Sequence, residues 1–199
     1  MKKIAVFASG RGSNFEAVLK KVKQGRLKAE FCLVVVSSAQ AGIIAIAGKA
    51  KIPVHVLQPD ESASALSGLL KSSGADLLML AGYMKKIPAE VIRAYPNAIM
   101  NIHPALLPAF GGKGCFGIHV HEKVLEAGAK VTGVTVHFAD DEYDHGPIIL
   151  QKAVEVKDDD TPRSLQKRVL KTEHDLYWRA VDLVVRGKVK VEGRRVVRL

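Results

Sequence analysis

An α/β fold, three layers thick, with a mostly parallel open sheet and a C-terminal helix and hairpin, is predicted by three observations. Short runs of β-type apolar residues alternate with helical patterns from the N-terminus onward. Those runs are almost continuously apolar, as strands covered on both faces must be. The helical patterns between them supply the crossovers that parallel strands require. At 199 residues the chain is expected to form one domain, 1–199, burying roughly 70% of its unfolded surface.

The predicted strands are 4–8, 31–36, 54–57, 77–80 and 98–102, and the helices between them are 15–22, 43–51, 65–71 and 89–94. Gly25, Pro53, Gly74 and Pro96 punctuate the alternation. A helix over 122–127 follows, then strands over 131–138 and 148–156. Pro162 opens a long helix to about Arg186, with Leu165, Val169, Leu176, Ala180, Leu183 and Val184 as its apolar face. Val189 to Val191, a Glu192-Gly193 turn and Arg195 to Val197 form the terminal hairpin. In open sheets of this kind ligands gather beyond the carboxyl ends of the strands, so those loops are where chemistry is sought.

The fifth strand ends in Asn101-Ile102-His103-Pro104-Ala105-Leu106-Leu107-Pro108. Asn101 and His103 alternate along an extended segment and share a face. An amide and an imidazole side by side can both donate to one oxygen, and the imidazole can also carry a proton. The pair suits a tetrahedral oxyanion, or else is a capping Asn beside a satisfied His.

After the first strand comes Ser9-Gly10-Arg11-Gly12-Ser13-Asn14. Glycines let a backbone approach an anion, and a helix N-terminus offers N–H groups and a favourable dipole. The loop lacks a Gly-Lys-Ser/Thr ending, and Phe15 stands where a dinucleotide fingerprint has its third glycine. It reads as a cradle for a single terminal phosphate, or as a tight turn capped by Ser13 or Asn14. Met84, Lys85, Lys86 and Ile87 follow the fourth strand, where apolar and basic side chains could bind a flat anion or mark a solvated helix entrance. Four glycines, Gly111, Gly112, Gly114 and Gly117, suggest a mobile lid.

His119 and His121 have no further metal ligands at standard spacing and are expected on the surface, so no metal is expected. Thr135 and His137 share one face of the strand over 131–138. Beyond it lies the acidic loop Asp140-Asp141-Glu142-Tyr143-Asp144-His145-Gly146-Pro147, which lacks calcium-loop spacing. A carboxylate just before Gly-Pro can be turned inward, and Asp144 is the candidate. Glu173 and His174 interrupt the long helix with polar character.

The formal charge of +10 raises nucleic acid as a partner, since Lys and Arg supply sequence-independent affinity for phosphates. The basic residues are scattered, with one concentration from Arg186 to Arg198, and no nucleic-acid motif accompanies them. A positive field equally draws in small polyanions. Small-molecule substrates are the expected partners, with no nucleic acid and no membrane. No apolar run reaches the roughly 18 residues of a membrane span, and Met1-Lys2-Lys3 leads into a strand too short for a signal peptide. A cytoplasmic location is expected. The two cysteines, Cys32 and Cys115, make neither a disulfide framework nor a zinc set, and Cys32 is expected in the core.

In order along almost the whole chain, Ser-Gly-x-Gly-Ser-Asn, Leu-Ala-Gly-Tyr-Met, Asn-Ile-His-Pro-Ala-Leu-Leu-Pro, Val-His-Phe and Asp-x-Gly-Pro make a specific set. By them the chain resembles the phosphoribosylglycinamide formyltransferases, the folate-dependent GAR transformylases of purine synthesis. The resemblance implies a Rossmann-like formyltransferase fold and direct formyl transfer from 10-formyltetrahydrofolate to the amine of N1-(5-phospho-D-ribosyl)glycinamide. It implies that folate is a co-substrate with no bound cofactor, and it leaves a monomer or a homodimer open. Carried across, Gly12, Ser13 and Asn14 bind the phosphate. Glu173 binds ribose hydroxyls, with Leu170, Lys171 and Thr172 near the same ligand. Met84, Lys85, Lys86 and Ile87, with Asn101 and the loop residues Asp140, Asp141, Glu142, Tyr143 and Asp144, line the folate site. Asn101, His103 and Asp144 match the catalytic trio, with Thr135 and His137 in support.

On this resemblance Asn101 and a protonated His103 are the donors to the developing oxyanion, and Asp144 is expected to raise the imidazole pKa. One segment departs from the family, Asp60-Glu61-Ser62-Ala63-Ser64 where many members carry an arginine, and tolerated variation shows in Phe15 and in His145 between Asp144 and Gly146. The loop from Gly111 is also longer than in some members. Methionyl-tRNA formyltransferase and formyltetrahydrofolate deformylase share the catalytic elements but are expected to carry an extra C-terminal or N-terminal domain. A non-enzymatic nucleotide-binding module explains the loop from Gly10 to Asn14 but gives no reason for Asn101, His103 and Asp144 together.

Overall fold

The structure, a computed structural model, describes residues 1–199. It divides into two compact units, Met1–Met100 and Asn101–Leu199.

The first unit runs β1 (Lys2–Ala8), α1 (Ser13–Lys23), β2 (Ala29–Val36), α2 (Ile43–Lys49), β3 (Val54–Val56), α3 (Ala63–Ser72), β4 (Leu77–Leu80) and α4 (Ala89–Ala94). Its strands lie in the order β3-β2-β1-β4 and all three pairings are parallel. Ile4, Ala5, Val6, Phe7 and Ala8 are all fully buried, which is why the run is continuous and not alternating. Phe15 of α1 packs edge-to-face on Phe31 of β2 with ring centroids 5.0 Å apart. The aromatic at the third-glycine position therefore belongs to the core. Cys32 is only half-buried, contrary to expectation. The β1–β2 register passes from Ile4↔Phe31 to Ala5↔Leu33 and skips it. A bulged residue has no partner opposite and the strand bends there, and Cys32 Sγ meets Ser73 Oγ at 3.8 Å.

The strand β5 (Ile99–His103) begins in the first unit and ends in the second. The second unit continues with α5 (Ile118–Glu126), β6 (Val131–Phe138), β7 (Ile148–Glu155), α6 (Pro162–Val185), β8 (Val189–Glu192) and β9 (Arg195–Arg198). Here β6 and β7 are antiparallel, β7 meets β9 in parallel at Ile148↔Arg195, and β8 and β9 close an antiparallel hairpin. The pairings of the first unit are thus all parallel, whereas those of the second are antiparallel except between β7 and β9.

Helix α6 opens with a capping box in which Thr161 accepts from the Ser164 N–H and Ser164 accepts from the Thr161 N–H, a device contributing about 1 kcal/mol. Its buried face is Leu165, Val169, Glu173, Leu176, Tyr177, Trp178, Ala180 and Val181. Leu183 and Val184 are only half-buried, so the apolar stripe leans toward Tyr177 and Val181. No helix is long and apolar enough to cross a membrane.

Helix α5 starts at Ile118, four residues earlier than the sequence suggests, because Gly117 at φ 57 turns the chain into it. This corrects the reading of its histidines. Two positions apart on a helix means about 200° around it, so His119 and His121 face opposite ways. His119 is exposed and pairs with Glu122 at 2.9 Å. His121 is 1% exposed.

Candidate active site

Strand β5 places Asn101 and His103 on one face, and Pro104 ends the ladder directly after them. Asp144 comes from the loop between β6 and β7, at φ 55, a left-handed conformation that few non-glycine residues adopt. There its carboxylate gathers four groups. Oδ2 accepts from the Gly112 N–H at 2.9 Å and lies 3.4 Å from His103 Nδ1. Oδ1 accepts from Asn101 Nδ2 at 3.3 Å and lies 3.7 Å from His137 Nε2.

The tautomers follow from the partners. His137 Nδ1 donates to the Phe138 carbonyl at 2.8 Å, so a neutral His137 ring presents Nε2 as an acceptor. Asn101 Nδ2 donates to it at 3.1 Å. Both amide hydrogens of Asn101 are thus directed, one to His137 and one over the longer path to Asp144. His103 Nε2 donates to the Phe110 carbonyl at 2.8 Å.

Burial lowers the His103 pKa most strongly. The Asp144 carboxylate and the Phe110 carbonyl oppose this but do not overcome it, and the net shift is downward. Asp144 raises the imidazole pKa as expected, but with a side chain 4% exposed desolvation outweighs a carboxylate held at an ion-pair distance. For Asp144 burial pushes the pKa up, yet the groups gathered around the carboxylate, His103 and the Gly112 N–H among them, bring it below its ordinary value. Asp144 is a carboxylate at neutral pH.

A polar scaffold lies under the trio. Thr135 Oγ1 donates to the Ala105 carbonyl at 2.7 Å and accepts from the Leu107 N–H at 3.0 Å. Gln151 Nε2 donates to Thr135 Oγ1 and to the Leu107 carbonyl at 3.0 and 2.9 Å. Together they fix the turn after β5. Sequence reasoning missed Gln151, although the antiparallel register that places it opposite Thr135 was available once β6 and β7 were paired. It also missed Phe110 and Gly112, which act through backbone groups that residue type does not reveal. The glycine-rich loop, read as a lid, is anchored at its start by these contacts. A Cβ on Gly111 would meet Leu107 Cδ2 at 2.5 Å and Asp144 Cβ at 3.2 Å, so a side chain there displaces Leu107.

In the first unit, Gly12 caps α1 at φ 77 with no side chain to spend on the first-turn N–H groups. A Cβ there would sit 2.7 Å from Ile43. Ser13 and Asn14 open the helix behind it. Ser9 Oγ accepts from Ser37 Oγ at 2.7 Å and from the Met84 N–H at 3.0 Å, which ties the Met84 segment to the loop after β1. Met84, Lys85 and Lys86 are exposed, while the Ile87 side chain is buried. In the segment Asp60-Glu61-Ser62-Ala63-Ser64, Ser62 caps α3. The Glu61 carboxylate is taken by His55 Nε2 at 2.9 Å and the Gln58 N–H at 3.1 Å.

In the second unit Glu173 is buried on α6, Leu170 and Thr172 are half-buried, and Lys171 is exposed. Asp141, Glu142 and Tyr143 stand out to solvent, whereas Asp140 is half-buried.

A family model described as formyl transferase matches residues 2–181. A chloroplastic phosphoribosylglycinamide formyltransferase of Arabidopsis thaliana is 45% identical over 196 residues, 95% of this chain and 67% of that protein. The phosphoribosylglycinamide formyltransferase of Bacillus subtilis (strain 168) is 40% identical over 183 residues, 89% of this chain and 91% of that one. The crystal structure of glycinamide ribonucleotide transformylase 1 from Symbiobacterium toebii superposes with a TM-score of 0.93 at 38% identity, covering 100% of this chain and 94% of that one. The chain belongs to the formyl transferase family.

Proposed function

We propose that this protein transfers the formyl group of 10-formyltetrahydrofolate to the amine of N1-(5-phospho-D-ribosyl)glycinamide, giving the N-formyl product and tetrahydrofolate in purine synthesis. The observation that carries the reading is the convergence of Asn101, His103 and the ionised Asp144 on one another. The activity named for the relatives favours the glycinamide amine over water or an aminoacyl-tRNA as acceptor.

The amine nitrogen attacks the formyl carbon, and negative charge develops on the formyl oxygen. Asn101 Nδ2 turns to that oxygen by giving up its longer bond, the 3.3 Å contact with Asp144. His103 provides the second donor by turning its Nε2–H from the Phe110 carbonyl to that oxygen. Its ring is poorly protonated at rest because it is buried, so charge on the formyl oxygen is what favours the imidazolium, with Asp144 stabilising it. Donors in place before the charge appears favour the transition state over the ground state. Collapse breaks the bond from carbon to N10 of the folate. The amine loses one proton, which Asp144 relays through water, and N10 gains one.

The same reading assigns the phosphate to Gly12, Ser13 and Asn14, the ribose to Glu173 with Leu170, Lys171 and Thr172 beside it, and the folate to Met84, Lys85, Lys86, Ile87, Asn101 and the loop from Asp140 to Asp144. Thr135 and His137 support the trio. It takes 1–199 as a single formyltransferase domain, cytoplasmic, monomeric or homodimeric, with folate as a co-substrate and no resident cofactor. The test is an assay of the purified protein with 10-formyltetrahydrofolate against glycinamide ribonucleotide, initiator methionyl-tRNA and water. Formylated glycinamide ribonucleotide is the expected product. Turnover only with the tRNA or with water overturns the reading.

A further inference from the structure

We propose that Arg194, in the turn of the C-terminal hairpin, is a positioning residue for Asp144: it grips the ring and the carbonyl of His145 and so holds the loop from Asp140 to Gly146 with the Asp144 carboxylate turned toward His103. The inference rests on the function proposed above and adds to it a residue remote in sequence from the trio.

The loop between β6 and β7 is closed at its base, where the Phe138 N–H donates to the Pro147 carbonyl at 2.9 Å. A Cβ on Gly146 would lie 1.9 Å from the Phe138 carbonyl oxygen, so the two limbs touch. Further out, Asp140 Oδ1 accepts from the Glu142 N–H at 3.0 Å, and Asp140 Oδ2 meets His145 Nδ1 at 2.8 Å. Between these ties sits Asp144 at φ 55. A non-glycine residue stays in that region only where its surroundings over-determine it. On one side the restraint is the Gly112 N–H and Asn101. On the other it is His145, the next residue in the chain.

Arg194 holds His145 at two points. Its Nη2 donates to the His145 carbonyl at 2.9 Å, and its Nη1 lies 2.5 Å from His145 Nε2. Nη1 also lies 3.4 Å from Nδ1, so the guanidinium sits against the flank of the ring while Nδ1 meets the Asp140 carboxylate on the other side of the loop. The fold brings Arg194 there because β9 begins beside β7 at Ile148↔Arg195, and Gly193 at φ 59 turns the hairpin just before it. The planar fork reaches ring and carbonyl together, which a lysine ammonium cannot do.

The test compares the wild-type protein with R194A, R194K, H145A and the double variant R194A/H145A. R194A is expected to lower kcat about 3–10-fold, with KM for glycinamide ribonucleotide within about twofold and Tm nearly unchanged. R194K should recover little of the loss. H145A should match R194A, and the double variant should be no worse than either, because both remove one link. A readout independent of catalysis is amide exchange at Gly112, whose N–H is held by Asp144. R194A should speed it about fivefold or more while leaving the amides of α6 unchanged. Wild-type kcat and wild-type Gly112 exchange in R194A overturn the proposal, as do losses that multiply in the double variant. A wild-type protein inactive on glycinamide ribonucleotide would instead overturn the functional reading, and the exchange comparison would still decide the role of Arg194.

Discussion

Asp144 Oδ2 lies 3.4 Å from Nδ1 of His103, and yet the imidazole is held below its ordinary pKa. Two opposing effects meet at one ring. Loss of water around an almost fully buried imidazole costs its charged form more than a single carboxylate at that distance returns. The arrangement keeps Asp144 charged and leaves His103 short of a full positive charge until negative charge arises nearby.

Replacing Asp144 by Asn tests this division of labour. The amide can still accept from the Gly112 N–H but cannot favour an imidazolium or take a proton. Turnover should fall roughly 100- to 10,000-fold, while glycinamide ribonucleotide affinity by calorimetry stays within several-fold. Near-normal turnover in a folded variant would contradict the role.

The cradle at α1 is expected to act on the phosphate alone. Ser13→Ala combined with Asn14→Ala should weaken glycinamide ribonucleotide roughly 10- to 100-fold, the worth of one or two hydrogen bonds to a charged group. The KM for 10-formyltetrahydrofolate should be unchanged. Equal loss for both substrates would place these residues outside a phosphate site.

Burial lowers His121 to a pKa of about 4, with His103 adding to the shift, from an ordinary value of 6.5. A base whose folded pKa lies below its unfolded one stabilises the fold while uncharged. That contribution is complete above pH 6.5 and is lost as pH falls toward 4. At pH 5 about 2 kcal/mol of it should be gone, and about 3 kcal/mol by pH 4. Urea unfolding of the wild-type protein and of His121→Leu at pH 7 and pH 5 measures the difference. The variant should lose clearly less stability on acidification, and parallel losses in the two would show that His121 is not the group responsible.

The alternation of apolar runs and helical patterns was legible because burial of a strand on both faces leaves a continuous apolar signature, as Ile4 to Ala8 show. The boundaries were less so. Helix α1 begins at Ser13 and not Phe15, since Gly12 can adopt φ 77 and start the helix earlier. Helix α5 begins at Ile118 for the same kind of reason, and that shift took His121 from an expected surface position into the interior.

What the sequence determined by itself was the α/β class, the alternation that puts Asn101 and His103 on one strand face, and the family motifs in their order, because these depend on local periodicity and residue type. Only the tertiary structure decided that Asp144 reaches His103, that backbone groups of Phe110 and Gly112 complete the cluster, that Gln151 and Arg194 brace it, and that burial outweighs Asp144 in setting the imidazole. These outcomes rest on distance and desolvation, which arise when segments far apart in the chain are packed together and water is excluded between them.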